Sequence, residues 1–397
     1  MEIGAEILSS PSCQGSREGL EFLIPRSSSP MYAEAQHEGG PWDPEQASSH
    51  ATLFGLPPSP ESARIHVLPV PWDATCSYGR GTAQGPFAIQ QASLQMDLLD
   101  PVFGEVWRQG IHLHDVGAEL RGWAKEALRA AKRMQEEPLE ASDRGAMIEE
   151  IDKLSFQRSR QVETWTQTML ADGRIPAILG GDHSSPLGAI RAAASGGDLS
   201  VLHLDAHLDQ RASYDGYRES HASIFYNVLE QCPQVTRLLS LGVRDYSAGE
   251  WERVQQQTDR VQVEPLPQWQ EKLLGGRHFS ELCDRALSFL GERVWISFDI
   301  DVLSPELCPR TGTPVPGGLG FAEATHVLHA LAATGRQIVG FDLCEVWGPS
   351  PEDRAAASPE VLAQLEWDAN VGVRILYKLC GCAHRTVRSF KGRAGEG

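Results

Sequence analysis

The 397-residue chain has room for one large α/β domain or two smaller ones, and 41% hydrophobic with 22% charged residues is ordinary for a globular protein. A net charge of −18 leaves no basic stripe for a nucleic acid and favours a cationic partner. No apolar run approaches the roughly 18 residues of a membrane span, and the first residues lack the basic and apolar regions of a secretory signal. Eight cysteines without a C-x-x-C pair read as buried or free thiols in a reducing compartment, so the expected location is the cytoplasm.

Residues 1–60, rich in Ser, Pro, Gly and Glu without sustained periodicity, are expected to form an irregular extension. Residues 61–384 read as one catalytic domain, and residues 385–397 as a basic, solvated tail. Ordered structure is predicted to begin with the β-rich run 64–70. A loop with Gly79, Gly81 and Gly85 follows, and Pro86 suits the first turn of a helix through Ala88, Ile89, Ala92 and Leu94. The pattern then predicts a strand over 111–116, a long helix over about 148–171, and a strand from 175 leading into the motif GGDH at 180–183. Further strands are predicted over 199–205, 237–242, 293–299 and 337–343, with helical segments between them. Strands alternating with helices predict a parallel sheet covered on both faces, a three-layer α/β/α sandwich.

Three strand-end motifs carry the chemistry: GGDH, DAHLD at 205–209 and SFDID at 297–301. Any one of them alone reads as an ordinary strand end with surface acids. Side chains alternate along a strand, so Asp205, His207 and Asp209 are expected on one side, and Asp299 and Asp301 likewise. In parallel α/β sheets, ligands gather outside the carboxyl ends of the strands. With His183, the set of four carboxylates and two imidazoles suits two divalent cations sharing a bridging carboxylate. Such sites, with ions about 3.5–4 Å apart, generate a hydroxide nucleophile at neutral pH. Oxygen-rich ligation favours manganese or a similar ion over structural zinc.

With GGDHS at 180–184, DAHLD, and SFDIDVLSPELCPRTGTPVPGG at 297–318, the chain resembles the ureohydrolase (arginase–agmatinase) family over residues 64–380, nearest its agmatinase-like and guanidine-hydrolase branch. The resemblance implies an α/β/α fold, hydrolysis of guanidino compounds by two manganese or nickel ions, and a homo-oligomer, trimeric or hexameric. It implies that His183, Asp205, Asp209 and Asp299 or Asp301 divide between the ions and that His207 joins the second. It makes Glu345 the carboxylate that pairs a guanidinium and His221 the mobile-loop histidine that hands a proton to the departing amine. Asp182 and Ser184 are expected to support their turn, Asp342 to orient a ligand, and the TGTP stretch at 311–314 to be scaffold. Two positions depart from the family: Ala222 where Gly is more usual after the histidine, and Ser304 where Asp usually precedes Pro305.

Where arginases carry an Asn beyond DAHxD, this chain has Gln210 and Arg211. A pocket-facing Arg211 would repel the ammonium of agmatine; it would bind a guanidino acid or leave room for guanidine alone. Pointing outward, it would instead pair with Asp215 or Glu219. Trp347 is either a packing residue or a platform for a flat cation. The expected substrate is guanidine or a small guanidino compound, yielding urea plus ammonia or an amine. Agmatine and guanidinobutyrate come next, then arginine. Two other classes remain open: a single-zinc deacetylase-like hydrolase and a non-catalytic scaffold.

Overall fold

The computed structural model describes residues 43–45 and 51–393, with side chains to residue 384. Its strands are β1 (Ile65–Val70), β2 (Ile111–Leu113), β3 (Ile175–Gly180), β4 (Leu199–Leu204), β5 (Val235–Leu241), β6 (Val261–Glu264), β7 (Arg293–Asp299) and β8 (Gln337–Cys344). They form one parallel sheet in the order β2-β1-β3-β8-β7-β4-β5-β6. Runs such as IPAILG in β3 and LSVLHL in β4 are buried along their whole length, as strands covered on both faces must be.

One apolar core joins Ile65, Leu179, Leu204, Phe298 and Phe341 to Ile375 and Leu376 of the last helix, Trp367–Arg393. A second joins Val70, Ile178, Val201 and Trp295 to Leu154, Ile190 and Phe225. Helix α1 (Gly85–Ser93) contributes Ala88 and Ile89 to the first core. Helices α2 (Ala118–Glu136), α3 (Ala141–Ala171) and α4 (Leu187–Ala194) belong to the second. This is the three-layer α/β/α sandwich that the alternating pattern predicts.

The differences from expectation have physical reasons. Helix α2 and strand β6 are absent from the sequence reading. The spacing of Leu120, Ala124, Ala127, Ala131 and Met134, all buried, marks the helix, but small alanines make its stripe weakly apolar. Strand β6 is a four-residue edge strand. Helix α3 starts at Ala141, earlier than predicted.

Of the extension expected over 1–60, residues 1–42 and 46–50 lie outside the described residues. Its end is not irregular surface: Leu53, Phe54 and Leu56 are buried in the first core, with Phe54 edge-on to Tyr377 at 5.0 Å between ring centres. The last helix continues through the start of the basic stretch to Arg393, and residues 394–397 lie outside the described residues. The seven described cysteines are buried and unpaired. Among the described residues no helix is long and apolar enough to cross a membrane.

Candidate metal centre and active site

The central strands β3, β8, β7 and β4 are neighbours, and each delivers a site residue at its carboxyl end: His183, Glu345, Asp299 and Asp205. The strand alternation that predicted this gathering applies only in part. Strand β4 stops at Leu204, and Asp205, His207 and Asp209 lie in the loop beyond it. Asp209 has φ of 53°, a left-handed conformation that turns its carboxylate back toward the others. Asp301 lies in a 3₁₀ turn (Ile300–Val302) capped by Asp299, whose carboxylate accepts the Asp301 N–H at 2.9 Å. Tight turns, not extended strand, converge the acids.

Their convergence is close. His183 Nδ1 lies 2.9 Å from Asp205 Oδ2, 3.1 Å from Asp209 Oδ2 and 3.2 Å from Asp299 Oδ2. It is buried, and what it carries toward them, a proton or a lone pair, depends on the ring's charge. The other ring nitrogen is fixed. Ser297 Oγ donates to Asp342 Oδ1 at 2.9 Å, so it accepts from His183 Nε2–H, also at 2.9 Å. With the ring neutral, as a bound cation requires, that tautomer turns the Nδ1 lone pair toward three carboxylate oxygens, the arrangement of a metal ligand with its outer support; without a cation the acids favour a proton there.

A second group adjoins the first, with His207 Nδ1 at 3.1 Å from Asp301 Oδ2 and 3.4 Å from Asp205 Oδ1. Asp205 therefore presents one oxygen to each imidazole and joins two clusters whose ligand atoms lie close enough to hold a metal ion, His183, His203, Asp205 and Asp209 in one and Asp205, His207 and Asp301 in the other, with Asp299 beside His183. His203 was not anticipated. Its Nε2 lies 2.8 Å from Asp205 Oδ2 and its Nδ1 3.0 Å from Ser240 Oγ, which steadies the shared carboxylate. Its position two residues before Asp205 was a legible signal.

The electrostatics fit cations. Burial, then the charge of Asp205, pushes Asp209 up to about 7. Burial, then Asp301 and Asp205, holds Asp299 well above the usual range. Burial opposes charge on both imidazoles, yet the acids prevail: His183 is held well above its ordinary value and His207 is pushed up to about 12. Packed carboxylates thus repel one another and take up positive charge wherever they can, a demand that divalent cations satisfy.

Glu345 follows β8 with φ of 61°, its N–H donating to Gly181 O at 2.8 Å and its carbonyl accepting from Thr311 Oγ1 at 2.9 Å. Oε1 accepts the His183 N–H at 2.9 Å, while Oε2 is buried without a hydrogen-bond partner. His221, in the turn His221–Ser223, lines a cavity of about 400 Å³ with His207, Asp209, Arg211 and Asp245. Burial lowers its pKa below the ordinary value. Ala222 lines the same cavity, and its carbonyl accepts the Arg211 N–H at 3.0 Å.

Arg211 faces neither Asp215 nor Glu219. Its Nε lies 3.4 Å from Glu250 Oε2, and its guanidinium lies 4.8 Å over the Tyr214 ring. Trp347 does not line this cavity, so the alternative of a platform for a cation there is not what the geometry offers. Its indole N–H donates to Arg80 O at 3.1 Å, the Arg310 guanidinium lies over its ring, and it lines a different cavity with Asp73 and Lys132. The TGTP stretch is more than scaffold, since Thr313 and Pro314 line the main cavity and Thr313 Oγ1 reaches Asp301 Oδ2 at 3.5 Å. Ser304 is tied through its backbone to Leu319 and Leu307.

Fold and site together are those of a metal-dependent ureohydrolase, which acts on guanidino C–N bonds. The family model described as the arginase family matches residues 63–369, and the chain belongs to that family. It is 31% identical over 304 residues to an N(1)-aminopropylagmatine ureohydrolase of Thermus thermophilus, covering 74% of this chain and 86% of that protein. It is 29% identical over 307 residues to an agmatinase of Pyrococcus horikoshii, covering 75% and 87%. The crystal structure of an agmatine ureohydrolase of Thermoplasma volcanium shares the fold, with a TM-score of 0.61 at 22% identity over 86% of this chain and 96% of that one.

Proposed function

We propose that the protein hydrolyses guanidine or a small guanidino compound to urea plus ammonia or an amine. The observation that carries this is the buried, unpartnered Oε2 of Glu345, whose other oxygen holds the backbone of the ligand His183. A carboxylate so placed pairs a guanidinium beside the metal centre and little else. His183, Asp205, Asp209 and Asp299 would hold one ion, and His207, Asp205 and Asp301 the other, manganese or nickel. When bound, the pair supplies a hydroxide nucleophile at neutral pH. Glu345 orients the planar substrate so that one face of its carbon meets the acidic cluster. His221, on the cavity wall, takes up a proton and delivers it to the nitrogen whose bond to carbon breaks. Cytoplasmic residence and a trimeric or hexameric assembly belong to the same reading.

Agmatine is the second reading, favoured by the cavity itself. About 400 Å³ exceeds what guanidine fills, and Asp245 on the cavity wall offers a carboxylate to a distal ammonium. The pairing of Arg211 with Glu250 also weakens the repulsion expected from that arginine. The test is urea release from guanidine, agmatine, guanidinobutyrate and arginine after loading with each metal separately. Guanidine or agmatine should lead, and arginine in front by a wide margin would contradict the proposal. Arg211→Met is expected to raise kcat/KM for agmatine by about fivefold, the effect of one exposed charge contact, and to leave guanidine nearly unchanged. No gain with agmatine would remove Arg211 from substrate selection.

A further inference from the structure

The His221 ring has little to hold it. Its Nδ1 has no hydrogen-bond partner, and Nε2 lies 3.5 Å from Ser77 Oγ, at the outer limit of such a bond. Tyr214 meets the ring edge-on at 5.6 Å between ring centres. The backbone is held more firmly. The His221 N–H donates to Thr75 Oγ1 at 3.1 Å, and the Thr75 hydroxyl donates in turn to Asp182 Oδ2 at 2.8 Å. The other oxygen of Asp182 accepts the Ser184 N–H at 3.1 Å.

Beneath this chain lies Arg158, fully buried over the Trp72 indole, donating to Ser184 Oγ at 2.7 Å. The same arginine lies 3.7 Å from Glu219 Oε2, two residues before His221, and that oxygen accepts from Ser159 Oγ at 2.7 Å. The loop expected to be mobile is therefore pinned on both sides to the turn that carries His183.

We propose that Thr75 is a positioning residue for His221: its hydroxyl couples the proton-carrying loop to the metal-ligand turn through Asp182. The proposal rests on the reading of His221 as proton carrier. Thr75 is fully buried, and only a hydroxyl can accept from an amide while donating to a carboxylate at one point. Valine keeps the shape and breaks both bonds, leaving a backbone N–H unsatisfied. Serine keeps both. A shift of the imidazole by a fraction of an ångström slows proton transfer without weakening substrate binding, because Glu345 and the acidic cluster are untouched.

The test is a double-mutant cycle between Thr75→Val and His221→Ala in the metal-loaded enzyme, with Thr75→Ser as the conservative control. Thr75→Val should lower kcat by about ten- to a hundredfold, the scale of a small misplacement, with KM and bound metal unchanged. Thr75→Ser should restore most of the loss. The double variant should be no slower than His221→Ala alone, because Thr75 acts through the imidazole. Additive losses, or a Thr75→Val enzyme as fast as the parent, would overturn the positioning role. Full activity in His221→Ala would instead overturn the reading of His221. If the valine variant does not fold, Thr75→Ala enters the same cycle.

Discussion

Asp205→Ala is expected to lose bound metal and urea release together. Asp205 joins the two groups, one oxygen 2.9 Å from His183 Nδ1 and the other 3.4 Å from His207 Nδ1. It is fully buried and braced by His203. Histidines hold it well below the usual carboxylate range against the effect of burial, with His203 the leading contributor. Removing it takes an oxygen from each ion and leaves His183 and His207 with fewer counter-charges. The fall in activity should exceed the roughly 10–100-fold that loss of an outer partner costs. Metal analysis of desalted protein beside the urea assay checks this. Two ions retained with activity intact would sink the ligand assignment.

Glu345→Gln should separate binding of the guanidinium from folding. The amide can keep an oxygen for the His183 N–H, so the turn survives, while the charge that faces the substrate is gone. Truncating one partner of a buried charge pair costs about 2–5 kcal/mol, which is roughly a thirtyfold to several-thousandfold fall in kcat/KM. Stability should move the other way. Burial, then Asp299 and Asp182, holds the Glu345 carboxyl well above its ordinary range, so its ionised form opposes folding in the metal-free protein. Its folded pKa exceeds the unfolded one, and that penalty grows as pH rises above the unfolded value. The glutamine variant should therefore melt at or above the parent temperature near neutral pH. A melting temperature that drops along with activity would mark Glu345 as structural.

The sheet was legible because strands covered on both faces are mostly apolar, and β1, β3 and β4 are buried along their whole length, β7 and β8 in all but their first residue. The acids and histidines that converge were legible because they stand at or just beyond the ends of those runs. Their exact placement was not, because Asp209 and Asp301 reach the cluster through a left-handed residue and a 3₁₀ turn that no alternation rule describes. Arg211 lines the cavity, the pocket-facing alternative, but its partner was not legible. Its partner Glu250 lies 39 residues further on, on a helix (Ala248–Gln255) whose capping box with Ser247 turns that carboxylate toward the loop. Trp347 stands two residues from Glu345, but Gly81 makes room for its indole, where a Cβ would come within 2.3 Å of Nε1. Adjacency in sequence therefore did not become adjacency in the cavity. The polar chain through Arg158, Ser184, Asp182 and Thr75 joins segments up to 109 residues apart, and only the folded chain brings them together.

Metal content measured against urea release from one preparation tests the central claim most directly. Two ions per chain should accompany hydrolysis of guanidine or agmatine, chelation should abolish it, and manganese or nickel should restore it. One zinc per chain with no urea from any guanidino compound would contradict the account.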